Sequence, residues 1–113
     1  MTINEYQKEA LRTDSGKITL ANEGRLTNGL MGLNGEAGEA IDILKKHLFQ
    51  GHELDCEHLA KELGDVAWYL AVTADALGYT LEEILAMNVQ KLRARYPDGF
   101  DSDKSVHRKE GDV

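Results

Sequence analysis

Two stretches, LNGEAGEAID at residues 33–42 and LAKELGDVAW at 59–68, repeat one pattern. Each places a glutamate three residues after a leucine, then a glycine, then a second carboxylate: Leu33, Glu36, Gly38, Glu39 and Leu59, Glu62, Gly64, Asp65. At 100° per residue, Glu36 and Glu39 fall about 300° and about 240° around from Leu33, and Glu62 and Asp65 take the same angles from Leu59. Two helices therefore present matched carboxylate pairs on the same flank of an apolar stripe. Leu44 and Leu70 match at the same offset of 26 residues, as in a weak internal repeat.

A solvated acidic flank is the ordinary reading of one such pair. The doubling changes the balance. Like charges about 5 Å apart at an effective dielectric near 20 cost on the order of 3 kcal/mol per pair. A glycine inside a helix costs about 1 kcal/mol relative to alanine. Four carboxylates brought together need protons or a cation, and the glycines suit a close approach of another backbone.

Outward from these stretches the chain reads as helical. TINE at 2–5 has the form of a capping box, followed by Ile3, Tyr6, Ala10 and Leu11 at helical spacing, and TDSGK at 13–17 is turn chemistry. A long second helix begins between Leu20 and Gly24 and ends before Gly51, with an inward stripe of Leu26, Leu30, Leu33, Ala37, Ala40, Leu44 and Leu48. Asp55 caps a third helix, whose stripe is Leu59, Leu63, Val66, Leu70, Ala74 and Leu77, and Gly78 ends it. TLEE at 80–83 opens a fourth, which turns Ile84, Leu85, Asn88 and Leu92 inward and stops before Pro97. No strand pattern competes. The expected architecture is an all-α four-helix bundle over residues 1–97, followed by a polar arm at 98–113, extended or disordered.

The bulk numbers bound the function. A chain of 113 residues with 42% hydrophobic and 29% charged residues is one ordinary globular domain. Its net charge of −7 argues against a nucleic-acid polymer as partner. Cys56 is the single cysteine, MTINEYQKEA lacks the pattern of a signal peptide, and no apolar run is long enough to span a bilayer. The expected location is the cytoplasm. An oxygen-only cluster suits Mg²⁺, or Mn²⁺, rather than zinc. His47, His52, His58 and His107 are scattered and form no Glu-x-x-His pair, so a di-iron carboxylate site lacks its imidazoles.

GEAGE…ELGDVAWYL resembles the Glu-x-x-Glu…Glu-x-x-Asp signature of the MazG-like all-α nucleoside triphosphate pyrophosphohydrolases, and NVQKLRARYPDGF at 88–100 is similar to that family's Asn-x-x-Lys-Leu-x-x-Arg-Tyr-Pro stretch. The resemblance implies hydrolysis of a (d)NTP to (d)NMP and pyrophosphate. It makes Glu36, Glu39, Glu62 and Asp65 both the Mg²⁺ ligands and the catalytic carboxylates, with Glu39 the candidate base. Asn88, Lys91 and Arg95 share one helical face, and with the resemblance they become phosphate or sugar contacts. Without it Asn88 is a buried register-setting amide. Tyr69, angled between Glu62 and Asp65, is placed to stack on the nucleotide, and Trp68 reads as packing. The family also implies a homodimer or homotetramer, which the off-stripe apolar residues Met31, Ile41, Ile43 and Ala67 support. Nucleotide-pool house-cleaning is the expected role, with a non-catalytic oligomerisation or regulatory module as the rival. The complete set of four carboxylates favours the enzyme.

Overall fold

The computed structural model describes residues Met1–Val113 and is all-α. Its helices are α1 (Ile3–Leu11), α2 (Gly16–Thr19), α3 (Asn22–Gln50), α4 (Cys56–Leu77), α5 (Leu81–Arg95) and α6 (Ser102–Val106). The four longer helices fall where the periodicity puts them, and two one-turn helices join them. None is long and apolar enough to cross a membrane. Contacts divide the chain into two compact units, Met1–Leu81 and Glu82–Val113.

Local signals set the ends of the helices. Thr2 Oγ1 accepts from the Glu5 N–H at 3.1 Å while Glu5 Oε2 accepts from the Thr2 N–H at 2.8 Å, completing the capping box of α1. Gly51 (φ 74°) and Gly78 (φ 84°) end α3 and α4 in the left-handed region. Asp55 caps α4 by accepting from the His58 N–H at 2.9 Å.

In the first unit α3 and α4 form an antiparallel hairpin. Gly29 lies against Thr73, Gly32 against Tyr69, and Glu36 beside Asp65, so the index on α4 falls as that on α3 rises. Glycine is required at two of these contacts. A Cβ on Gly29 would meet the Thr73 hydroxyl, and one on Gly32 would fall on the Tyr69 ring. By contrast, a Cβ on Gly38 or Gly64 would meet nothing within 4 Å. The close approach expected at those two glycines is thus made one to three turns earlier on α3, because there the facing α4 side chains reach the α3 backbone.

Helix α1 also packs on α4. The Trp68 indole N–H donates to the Ala10 carbonyl (3.1 Å) and to Thr13 Oγ1 (2.8 Å), so this ring packs within the chain. Gln7 is buried and doubly used: its amide N–H donates to the Ala71 carbonyl at 3.0 Å, and its Oε1 accepts from the Leu81 N–H at 3.0 Å. An ion-pair network ties α2 and α3 to the end of α4. Arg25 reaches Asp14 at 3.1 Å and Asp75 at 2.8 Å, and Lys17 reaches Asp75 at 3.4 Å.

The core of the unit is small, centred on Ala10, Ala71 and Leu81 with Tyr6 and Trp68 packed on it. The leucine stripes are only partly covered. Leu30, Leu48 and Leu63 each remain 59% exposed, and Leu70 and Leu77 are exposed too. Alanine and glycine, rather than leucine, make the contacts between helices here, because α1 and α3 take the small-residue faces of α4. Leu30, Leu48, Leu63, Leu70 and Leu77, predicted to point inward, therefore stay exposed in this single chain, while Leu26, Leu33, Leu44 and Leu59 are half-buried.

In the second unit Leu85, Asn88 and Leu92, expected to face inward, are exposed. After Pro97 the backbone turns at Gly99 (φ 93°), the Tyr96 and Phe100 rings meet tilted at 47° with centroids 5.4 Å apart, and Asp101 caps α6. The chain then returns to α5, where Asp112 accepts from Arg95 Nε at 2.8 Å and Nη2 at 2.7 Å. This segment, read from the sequence as an extended or disordered arm, is folded onto α5, because Arg95 supplies a forked partner for its carboxylate.

Candidate metal centre

The hairpin register brings Glu36 of α3 against Glu62 and Asp65 of α4. One carboxylate oxygen from each lies within 4.8 Å of the others. Glu62 is buried at 8% exposure, Glu36 is half-buried and Asp65 is exposed, so the cluster opens towards solvent on the Asp65 side. Glu36 Oε2 and Glu62 Oε2 are both buried without a hydrogen-bond partner. Orphaned buried oxygens of this kind cost free energy unless a proton or cation satisfies them. The Glu36 carboxyl is accordingly pushed up to about 7, first by burial, then by the charge of Glu39, by hydrogen bonding with Glu62 and Glu39, and by the charge of Asp65. Carboxylates crowded in this way favour a proton or a cation among them. The phenol of Tyr6 is also raised, by burial and then by the charge of Asp65, which puts α1 at the edge of the site.

Glu39 stands outside the tight triad. It is exposed, one turn beyond Glu36, and faces an open groove lined also by Asp42, Ile43, Lys46, His58 and Glu62. Asp42 holds both Lys45 (2.9 Å) and Lys46 (3.0 Å), and these hydrogen bonds keep its carboxyl below the usual range. His58 was missed by the sequence reading. Its Nε2 lies 3.1 Å from Glu62 Oε1. The signal was present as an i,i+4 His-x-x-x-Glu spacing, which a search for Glu-x-x-His passes over.

Of the remaining predicted residues, Tyr69 belongs to the first unit and Asn88, Lys91 and Arg95 to the second. Tyr69 is half-buried over Gly32 and stands edge-on to Trp68, with ring centroids 4.9 Å apart at 86°. Its ring serves the helix contact. Asn88 and Lys91 are exposed on α5, along a shallow groove with Ile84 and Met87. Arg95 is engaged by Asp112.

The donor set is all oxygen, two of its oxygens are buried and unpartnered, and crowding raises the Glu36 carboxyl. A divalent cation that prefers oxygen ligands fits these residues. An all-α chain with paired carboxylates from two antiparallel helices defines a class of acidic-cluster helical proteins. Residues 26–100 match the family model of the MazG nucleotide pyrophosphohydrolase domain, and the chain belongs to that family. It is also similar to the Gene 37 protein of Mycobacterium phage L5, at 38% identity over 73 residues. That match covers 61% of this chain and 64% of the phage protein's length. No solved structure matches the chain.

Proposed function

We propose that the chain is a Mg²⁺-dependent nucleoside triphosphate pyrophosphohydrolase, converting a (d)NTP and water into a (d)NMP and pyrophosphate. The observation that carries this reading is the triad of Glu36, Glu62 and Asp65 with its two unpartnered buried oxygens, in a chain of the MazG nucleotide pyrophosphohydrolase family. In the reaction a water oxygen attacks the α-phosphorus, the bridging bond to the β-phosphate breaks, and pyrophosphate leaves with the electron pair. Glu36, Glu62 and Asp65 would hold the cation, which would supply positive charge against the phosphate oxygens. Mn²⁺ suits the same donors. Glu39, exposed beside Glu36 and facing the groove, takes the proton from the attacking water. Asn88, Lys91 and Arg95 contact phosphate or sugar, and Tyr69 bounds the nucleotide.

The open leucine face of α3 and α4 supports a second copy of the chain as partner, in a homodimer or a pair of dimers. The chain would then act in the cytoplasm on free nucleotides, clearing unwanted members of the pool. A panel of nucleoside triphosphates with Mg²⁺ or Mn²⁺, scored for pyrophosphate against orthophosphate, tests the reading. Metal-dependent pyrophosphate release is expected. Orthophosphate alone, or no turnover across the panel, overturns it.

A further inference from the structure

An open groove of about 520 Å³ runs from the acidic triad along α3 towards the α3–α4 turn. Its sides include Gly35, Gly38, Ile43 and Lys46 of α3 and His58 and Glu62 of α4. The volume lies in the usual range for small-molecule sites. At its inner end stands Glu62, 8% exposed, with Oε2 unpartnered. Gly35 and Gly38 are one helical turn apart, and a Cβ on either would meet nothing within 4 Å. Neither glycine therefore serves the packing of α3 on α4, as Gly29 and Gly32 do. Both weaken the helix relative to alanine. What they leave is a strip of bare backbone beside the groove.

The cations of the groove are already matched. Lys46 reaches Asp42 at 3.0 Å, and His58 Nε2 lies 3.1 Å from Glu62 Oε1. Glu39 adds a further carboxylate. A run of phosphates would meet no uncommitted cation here and would face an excess of negative charge. A neutral moiety that carries hydroxyl and amide donors fits instead, because each carboxylate oxygen keeps acceptor capacity beyond its present partner. The bare strip at Gly35 and Gly38 admits a ring to van der Waals contact with the helix. Half-buried Ile43 offers an apolar surface further along. From Gly38 to Lys46 the helix advances about 12 Å.

We propose that this groove takes the nucleoside half of a nucleotide, and that Gly35 and Gly38 are specificity-determining residues that admit its rings. The pentose lies over Gly38 and the base lies towards Ile43, with the Asp42–Lys46 pair at its edge. The choice of a nucleoside among neutral, donor-bearing ligands rests on the proposed nucleotide chemistry, and the direction follows from the acidic triad at the Glu62 end. A side chain at position 35 or 38 would fill the strip and exclude the rings while leaving the carboxylates of the triad in place.

Titration calorimetry on the full chain separates the parts of the ligand. One arm uses Mn²⁺ alone, a second Mn²⁺ with tripolyphosphate, and a third Mn²⁺ with a nucleoside triphosphate non-hydrolysable at its α–β bridge. Gly38→Leu should melt no lower than wild type in EDTA, because its side chain enters open space. It should bind Mn²⁺ and tripolyphosphate within about twofold of wild type and the nucleotide analogue about tenfold more weakly or worse, because the clash falls on the rings alone. Gly35→Leu, in the same strip, repeats the test should Gly38→Leu melt lower. Wild-type affinity for the analogue in both leucine variants overturns the proposal. So does an equal loss of tripolyphosphate or of Mn²⁺, which would put the glycines at the phosphates or the cation, and so does failure of wild type to bind the analogue at millimolar concentration. None of these readouts requires turnover. A chain that binds the analogue in this way but releases no pyrophosphate counts against the hydrolase reading alone, whereas pyrophosphate release with wild-type affinity in both leucine variants counts against the groove alone.

Discussion

His58 Nε2 stands 3.1 Å from Glu62 Oε1, while Oε2 of the same carboxylate is buried without a partner. One oxygen of Glu62 is thus oriented from its own helix and the other is left for the acidic cluster. Partners that orient a ligating carboxylate typically contribute 10–100-fold to metal affinity. His58→Ala is expected to weaken Mn²⁺ binding by about tenfold, read by calorimetry. Because His58 is 55% exposed, melting in EDTA should barely change. Recovery of affinity in His58→Gln would mark the role as positioning, and an unaltered Mn²⁺ affinity in His58→Ala would remove it.

The raised Glu36 carboxyl gives the metal-free chain a pH signature of definite sign. Its folded value of about 7 lies above the ordinary 4.5, so between these values the folded state holds a proton that the unfolded state has lost. Stability from this group is present at low pH and falls as pH rises towards 7. In EDTA, the melting temperature of wild type relative to Glu36→Gln should therefore be lower at pH 8 than at pH 5.5. At pH 8 the variant should be at least as stable as wild type. Saturating Mg²⁺, at 100 times the dissociation constant, should then stabilise wild type by about 2.7 kcal/mol and the variant by less. Parallel slopes for the two proteins in EDTA would show that Glu36 is not the crowded group.

Gly32 and Gly38 differ in what faces them. Gly32→Ala drives a methyl group into the Tyr69 ring and is expected to cost about 1–2 kcal/mol after the gain in helix propensity. Gly38→Ala meets open space and should be neutral or stabilising by up to about 1 kcal/mol in the single chain. Denaturant unfolding at low protein concentration measures both. The reverse order would mean that the α3–α4 register is misassigned.

Arg25 joins Asp14 and Asp75 in a part of the first unit where its side chain is 11% exposed. Arg25→Ala leaves a buried carboxylate uncompensated and should cost about 3 kcal/mol near pH 7. Burial raises the Asp75 carboxyl, but the Arg25 hydrogen bond and the Lys17 charge together hold it below its ordinary value. A depressed carboxyl contributes stability above its unfolded value and loses it as pH falls through the folded one. The gap between wild type and variant should therefore narrow below about pH 4. A gap constant from pH 7 to pH 3 would show that lost packing, not lost charge, explains the effect.

The sequence by itself determined the helices and the flank on which the carboxylates stand. Thr2 with Glu5, Gly51, Asp55 and Gly78 act through hydrogen bonds and dihedrals within a few residues, and a period of 3.6 orders side chains on a single helix. That locality made Glu36, Glu39, Glu62 and Asp65 legible as matched pairs. Only the tertiary structure decided which of them meet. The register of α3 on α4 gathers Glu36, Glu62 and Asp65, leaves Glu39 at the rim, and assigns the close contacts to Gly29 and Gly32 rather than to the glycines of the motif. The tertiary structure also left Leu30, Leu63 and Leu70 open and returned Asp112 to Arg95. The reason is physical: helix boundaries and faces are set by short-range terms that a sequence window contains, whereas packing and shared protons depend on distances between segments far apart in the chain.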